Sequence, residues 1–171
     1  MKRIPLSLFT FLFLLSGLCA APTKTVWQIG EKNHSASELA LSPDKYKEFL
    51  ANDFGWEDRF YIIGLSSPQK DFPYVLPGPA DHWGGTSYTA GIRTHVLNIL
   101  FGMKEVPETD SWKLIIDLLD THHELPALFK ITINGKSWKY ALPKGSGKSI
   151  DGDYSQIKPH TIEIPLNSGV I

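Results

Sequence analysis

The stretch FKITINGKSWKYAL, residues 129–142, decides the fold class of this chain of 171 residues. Apolar and polar residues alternate strictly over residues 129–133, and a period of two predicts a β-strand with one buried face. Asn134 and Gly135 form the pair that a two-residue type I′ turn prefers, because both turn residues need positive φ. The alternation resumes over residues 137–142. The stretch therefore predicts a β-hairpin.

Other segments extend the β pattern outward from this hairpin. Alternation, or aromatic and β-branched content, predicts strands at residues 25–29, 59–64, 87–100, 112–119 and 161–166. Residues 112–119 are almost continuously apolar, which favours a central strand. The apolar phase of 87–100 flips near Val96 and Leu97, which predicts a bulge or bend. The long segments 68–85 and 145–158 are predicted loops.

One short helix is predicted among these strands. Ser42 can cap it, Pro43 suits its first turn, and it should end between Asn52 and Gly55. Seven strands with one short helix predict an all-β fold, an antiparallel jelly-roll β-sandwich of the galactose-binding-like type. Residues 167–171 stop where a turn should lead into another strand. We therefore expect a truncated fragment that lacks its closing strand.

The ends and the composition predict an exported, single-domain protein. A basic start, an apolar run and a small-residue stretch make residues 1–20 a signal peptide, and residues 21–171 one domain. The chain should then be secreted or periplasmic, with no membrane partner after cleavage. A lipid anchor on Cys19, the single cysteine, is disfavoured by the bulky Leu18 before it. A net charge of −1 without charged runs argues against nucleic acid as a partner.

The loop PGPADHWGG, residues 77–85, is the strongest candidate for a binding site. Its prolines and glycines exclude helix and regular strand, so it should hold Asp81, His82 and Trp83 in a set geometry. An indole can stack on a pyranose ring while an acid and an imidazole bond its hydroxyls. Trp56, also in a predicted loop, is a further candidate for sugar contact. In the alternative interpretation, Trp83 fills the core and Asp81 caps a turn.

Catalytic chemistry is a weaker hypothesis. Glycosidases hold two carboxylates across the scissile bond, but no spacing here selects a pair. A lyase would need a base, His82 or His122, near a group such as Arg93 that neutralises a carboxylate. No catalytic residue is assigned from these patterns. The candidate carboxylates are Asp81, Asp117, Asp120 and Glu124.

No cofactor is predicted. If His122 and His123 lay on a strand, their side chains would point to opposite faces and could not chelate one ion. A structural calcium ion at a sandwich edge is left open, because loop oxygens can supply its ligands. Asp151, Gly152 and Asp153 are predicted to form a plain turn rather than such a site.

Five segments, in this order, resemble the β-sandwich module of rhamnogalacturonan lyases. They are VWQIGEKNHSASEL, FYIIG, DFPYVLPGPADHWGG, IIDLLDTHHELPALFKITINGK and KPHTIEIPL. The same type of module is appended to bacterial α-mannosidase-like and other exported polysaccharide-degrading enzymes. The resemblance implies a non-catalytic, carbohydrate-binding-like domain and transfers no catalytic residue. The family module closes with a further strand, which we expect this chain to lack. A position directly behind a signal peptide would be closer to the mannosidase-type arrangement.

These observations lead to one main functional prediction. The chain should be a non-catalytic carbohydrate-binding or accessory domain of a secreted polysaccharide-degrading enzyme. Its partners should be a polysaccharide or oligosaccharide and the catalytic domain of the same longer chain. Two alternatives stay open: the chain belongs to a polysaccharide lyase or glycoside hydrolase active site, or it is an interdomain brace without a ligand.

Trp112 and Trp138, in predicted strands, are expected in the core.

Overall fold

The computed structural model describes residues 24–49, 59–80, 94–105, 111–167 and 169–171. Within these residues the regular secondary structure is mostly β-strand with very little helix, as predicted. The strands are β1 (Arg59–Ile62), β2 (Leu97–Leu100), β3 (Trp112–Leu118), β4 (Leu128–Ile133), β5 (Lys136–Ala141) and β6 (His160–Leu166). This part of the chain holds no helix long and apolar enough to cross a membrane.

The predicted hairpin is confirmed. β4 and β5 pair antiparallel, with Ile131 opposite Trp138 and Thr132 opposite Ser137. Asn134 and Gly135 both have positive φ, 45° and 85°, as a type I′ turn requires. The Asn134 side chain also donates a hydrogen bond of 2.7 Å to the carbonyl of Val170, so the turn is joined to the end of the described chain.

β3 and β6 form a second antiparallel ladder of seven residue pairs, from Trp112 opposite Leu166 to Leu118 opposite His160. Both strands alternate between inward apolar and outward residues. Ile164, on the inward face of β6, is completely buried at 0% exposure, whereas Ile115, on the outward face of β3, is 51% exposed. Strict alternation thus gives this ladder one buried and one solvent-facing side.

The inward faces of the two ladders share one hydrophobic core, which makes the fold a β-sandwich. Trp112 and Trp138 pack against this core, as expected for tryptophans in strands. The buried members of the core are Ile131, Ile162, Ile164, Leu166 and Val170.

Two strand predictions need correction. β3 was expected to be central, but among the described strands it pairs with β6 alone. On its outward face, Asp117 contacts the loop residue Lys32. Residues 25–29 are not a strand, since they pair with no described strand. Trp27 instead packs its ring against Phe101, with centroids 5.3 Å apart.

β1 and β2 form a parallel pair, in contrast to the all-antiparallel prediction. Of the predicted strand 87–100, only residues from 94 onward are described, and β2 begins at Leu97, where the apolar phase flips. Tyr61 is buried and its ring meets Phe72 edge-on, with centroids 5.7 Å apart. The opposite face carries Phe60 and Ile62, which remain exposed.

The helix predicted to start at Ser42 and Pro43 and to end between Asn52 and Gly55 is a single 3₁₀ turn, Tyr46–Glu48, within the described residues. Ser42 does not cap it: the N-cap is Lys45, without a side-chain cap bond, and the Ser42–Pro43 peptide is cis. The turn ends at Phe49, which is fully buried against Ala40. Burial of this ring, rather than helix propensity, therefore organises the segment.

A short helix, α1 (Pro68–Asp71), begins in the region predicted as loop. Pro68 occupies its first position, where a missing N–H costs nothing. The Asp71 carboxylate accepts a hydrogen bond of 2.7 Å from the Ser67 backbone N–H. This bond satisfies the backbone N–H of the N-cap residue Ser67 from within the helix, although Asp71 lies one residue beyond the position of the acid in a capping box.

Candidate functional site

The four residues predicted to touch sugar, Asp81, His82, Trp83 and Trp56, lie outside the described residues, as does Arg93. The structure does describe both flanks of the loop that carries three of them. Pro77, Gly78 and Pro79 precede it, and Thr94 and His95 follow it. These flanks meet in one cleft of about 210 Å³, named the proline cleft here, which Ala127 and Leu128 complete.

The chain before the proline cleft is held in place by bonds to other segments. Ala40 donates to the Phe72 carbonyl at 2.9 Å and accepts from the Tyr74 N–H at 3.0 Å. The Tyr74 hydroxyl donates to the Ile150 carbonyl at 2.6 Å. Burial is the main cause that raises the pKa of Tyr74 above its ordinary value, and the nearby Tyr154 raises this pKa further. These contacts fix the entrance to the loop that follows Ala80.

The lining of the proline cleft combines apolar and polar groups. Leu128, the first residue of β4, is 67% exposed and presents an aliphatic surface beside Pro77 and Pro79. Thr94 supplies a hydroxyl, and the His95 ring lies edge-on to the buried Phe49, with centroids 6.3 Å apart. An apolar wall with a few positioned polar groups is the arrangement that binds sugars and other small ligands.

A second cleft, of about 290 Å³, lies beside residues 145–158 and is named the polar cleft here. It is lined by His123, Ser146, Gly147, Lys148 and Asp151. The loop between β3 and β4, residues 119–127, contributes His123 to the polar cleft and Ala127 to the proline cleft. One loop therefore contributes to the lining of both clefts.

Asp120, a candidate catalytic carboxylate, is instead the anchor of the loop 145–158. One of its oxygens accepts from the N–H groups of Ser146, at 2.7 Å, and Lys158, at 3.4 Å. The other accepts from the Lys148 N–H at 3.2 Å and from the Ser146 hydroxyl. Burial raises the pKa of Asp120, but these hydrogen bonds outweigh it and hold the pKa below its ordinary value. The carboxylate is therefore occupied by structural bonds.

Gly145 allows the close approach that this anchor needs. It is buried, and a Cβ at this position would collide with the backbone of Thr121 and with the Asp120 side chain. Its N–H donates to the His122 carbonyl at 3.3 Å. Only glycine fits between the end of β3 and the loop.

Asp117 is also held by structural bonds, on the outer face of the β3–β6 ladder. It accepts from the Lys32 ammonium at 2.7 Å and from the Thr161 hydroxyl at 2.6 Å. Desolvation raises its pKa, but the bonds from Lys32 and Thr161 bring the pKa below its ordinary value. Glu124 is largely exposed, and its carboxylate lies 3.9 Å from His123 Nε2. The described carboxylates thus serve separate local roles.

His122 and His123 lie in the loop after β3 rather than on a strand, so the divergence expected of a strand pair does not apply to them. Their rings stack, with centroids 4.6 Å apart and planes 25° apart. His122 Nδ1 accepts from the N–H groups of Glu124, at 3.1 Å, and Leu125, at 3.0 Å. This nitrogen is occupied as an acceptor. Among the described residues, no group of three or more His, Cys, Asp or Glu side chains could hold a metal ion.

The turn predicted at residues 151–153 is confirmed. Asp151 ends a 3₁₀ turn, Ser149–Asp151, and Gly152 follows with φ 78°. Asp153 accepts from the N–H and hydroxyl of Ser155, at 3.0 Å and 2.6 Å. Sequence reasoning missed that this turn brings Asp151 to the same cleft as His123. No local sequence pattern indicates that Asp151 lies near His123, since this proximity depends on the hydrogen bonds that Asp120 accepts from the loop 145–158.

The comparisons with known proteins agree with this architecture. A family model described as "CBM-like: Polysaccharide lyase family 4, domain III" matches residues 25–167, which include all six of the described strands. No curated protein and no solved structure gives a significant match. The family match covers most of the chain and fits an all-β sandwich with a carbohydrate-binding-like role. The chain therefore belongs to the CBM-like domain III family of polysaccharide lyase family 4.

Proposed function

We propose that this chain is a non-catalytic carbohydrate-binding domain of an exported polysaccharide-degrading enzyme of the rhamnogalacturonan lyase type. Residues 1–20 act as its signal peptide, and a catalytic domain belongs to the same longer polypeptide. Its ligand is a polysaccharide or oligosaccharide, and the role requires no cofactor. The family match supports the carbohydrate-associated role.

The proposed binding surface is the proline cleft together with the residues that follow Ala80. One observation carries this assignment: both flanks of the predicted sugar-contacting loop line the same cleft of mixed polarity. Asp81, His82 and Trp83 directly follow one flank in sequence. Trp83 would supply the stacking surface, while His82, Asp81 and Thr94 would bond sugar hydroxyls. Trp56 is proposed as a further contact.

The described candidates for catalysis favour an accessory role. Asp117 accepts two structural hydrogen bonds and Asp120 accepts four, and both have lowered pKa values. A general acid needs the opposite, a raised pKa and a free proton. His122 Nδ1 already accepts two backbone bonds. These three residues hold loops in place.

The proposal is tested by calorimetric titration of the full exported chain with a panel of plant cell-wall oligosaccharides. Trp83→Ala should weaken binding about tenfold, because loss of a stacking platform costs on the order of 1 kcal/mol or more. Phe60→Ala, which truncates an exposed ring on β1, is the matched control and should bind normally. Unchanged binding in Trp83→Ala would refute the site.

The same variant separates the proposal from the interdomain brace. If Trp83 is a core residue, Trp83→Ala should lower the free energy of unfolding by about 3–5 kcal/mol. A brace would show this loss while no oligosaccharide bound to the unmodified chain. Absence of binding across the whole panel would refute the carbohydrate-binding function itself.

A further inference from the structure

The polar cleft differs in chemistry from the proline cleft. Lys148 offers ammonium donors, Asp151 offers carboxylate acceptors, and His123 offers an imidazole. The residues that line it include no aromatic or large aliphatic side chain apart from this imidazole. Lys148 and Asp151 contribute one positive and one negative charge. Such a surface suits a ligand that both donates and accepts hydrogen bonds, as a sugar diol does.

The wall formed by residues 145–148 is preorganised. The Asp120 carboxylate holds the N–H groups of Ser146 and Lys148, and the Gly147 N–H donates to the Thr121 carbonyl at 3.1 Å. Gly147 has φ 69°, and a Cβ there would lie 3.1 Å from His123 Nδ1. The missing side chain therefore leaves room beside the imidazole. A preorganised wall reduces the entropy lost when a ligand binds.

The His123 ring is positioned by its neighbour. It stacks on His122, whose Nδ1 is held by two backbone N–H groups of the same loop. The His123 side chain is nevertheless 58% exposed. An exposed ring with a defined orientation can bond a ligand with little further ordering.

We propose that the polar cleft is a second saccharide subsite that selects a neutral sugar residue of the same polysaccharide chain. Asp151 accepts from two vicinal hydroxyls, while Lys148 and His123 bond their oxygens. Lys148 would attract a sugar carboxylate, but Asp151 in the cleft and Glu124 beside His123 place two negative charges against that one positive charge, so a charged sugar is disfavoured. The loop between β3 and β4 borders both clefts, so an extended oligosaccharide that crosses it reaches both. This inference rests on the proposed function.

The test is an amide-resolved NMR titration of the full exported chain with two matched ligands. One is an oligogalacturonate and the other is its carboxyl-reduced form, which has the same length and linkage but no charge. Neutral oligosaccharides from the binding panel are titrated alongside. The amides of Ser146, Gly147 and Lys148 report on the polar cleft, and those of Gly78 and Thr94 report on the proline cleft. We expect neutral ligands to shift both sets and the charged ligand to bind several-fold more weakly.

Two variants complete the test. Lys148→Ala and Asp151→Ala should each weaken binding of the neutral ligand about tenfold, as expected when a hydrogen bond to a charged group is lost. Within the described residues both side chains line the open polar cleft rather than the hydrophobic core, so both variants should fold. Lys139→Ala, an exposed lysine on β5, is the matched control and should bind normally.

The outcomes are distinguishable. Shifts confined to Gly78 and Thr94, with unchanged affinity in both variants, would overturn the second subsite and leave the proposed function intact. Tighter binding of the oligogalacturonate, lost in Lys148→Ala, would overturn the neutral selectivity. No shift with any oligosaccharide would refute the proposed function together with this inference.

Discussion

The two antiparallel ladders and the parallel pair β1–β2 both contain alternating apolar residues, but they bury these side chains to different extents. In the ladders, alternation places one apolar face inward, so Ile164 is buried while Ile115 faces solvent. In β1, the alternation buries Tyr61 but leaves Phe60 59% exposed. Apolar content alone therefore does not predict burial. The phase of the residues relative to a packed partner does.

The sharpest way to test this comparison is to truncate one isoleucine on each face of the β3–β6 ladder. Ile164→Ala should lower the free energy of unfolding by about 2–5 kcal/mol, because it leaves a cavity in the core. Ile115→Ala, the matched control on the outward face, should change it by less than about 1 kcal/mol. Denaturant unfolding measures both. Equal losses would mean that the two faces are not distinguished by burial.

A smaller loss in the free energy of unfolding is expected for a change at Asp120, where the end of β3 meets the loop 145–158. Asp120→Asn replaces a charged acceptor of several N–H groups, so unfolding should become easier by about 1.5–3 kcal/mol near neutral pH. The folded-state pKa of Asp120 lies below its ordinary value, so its contribution is complete above that ordinary value. It is lost as the pH falls below about 4 and through the folded pKa.

The measurement for Asp120 is the free energy of unfolding as a function of pH. The unmodified chain should lose stability on the acid side more steeply than Asp120→Asn. Glu163→Gln is the control, since its exposed ion pair with Lys113, at 2.9 Å, should contribute less than about 1 kcal/mol. Parallel pH curves for the unmodified chain and Asp120→Asn would contradict the anchor role.

The smallest change in the free energy of unfolding is expected for a substitution on the outer face of β1. Phe60→Ser should change the free energy of unfolding by no more than about 0.5 kcal/mol, because the ring is already largely exposed. Tyr61→Ala, one residue along the same strand, should cost clearly more, since its ring packs on Phe72. Denaturant unfolding of the two variants provides the comparison. A larger loss in Phe60→Ser than in Tyr61→Ala would reverse the assigned faces.

Local patterns predicted the parts of the fold that depend on neighbouring residues. Asn134 and Gly135 specify their turn through φ preferences of their own, and the hairpin register follows from it. The pairing of Phe60 with Asn98 joins residues far apart in sequence, which no local period can encode. Residues 25–29 alternate like a strand, but alternation cannot supply a partner strand.

The same limit applies to the candidate sites. Proline and glycine in the loop 77–85 drew attention to that segment, and the structure adds the cleft between its flanks. The polar cleft escaped prediction because His123 and Lys148 are brought together by Asp120, which looked like a turn cap or a catalytic acid. A carboxylate that accepts hydrogen bonds from the backbone N–H groups of a distant loop cannot be recognised from the spacing of residues in the sequence.

The Asp120 anchor has a consequence for resistance to proteolysis. Surface loops rich in glycine, serine and lysine are the preferred targets of proteases, which must bind their substrates as extended, flexible segments. Residues 145–148 have that composition, yet a single carboxylate and a buried glycine hold their backbone against the end of β3. Cleavage there would first require the anchor to release. The loop can thus remain on the surface and still resist digestion.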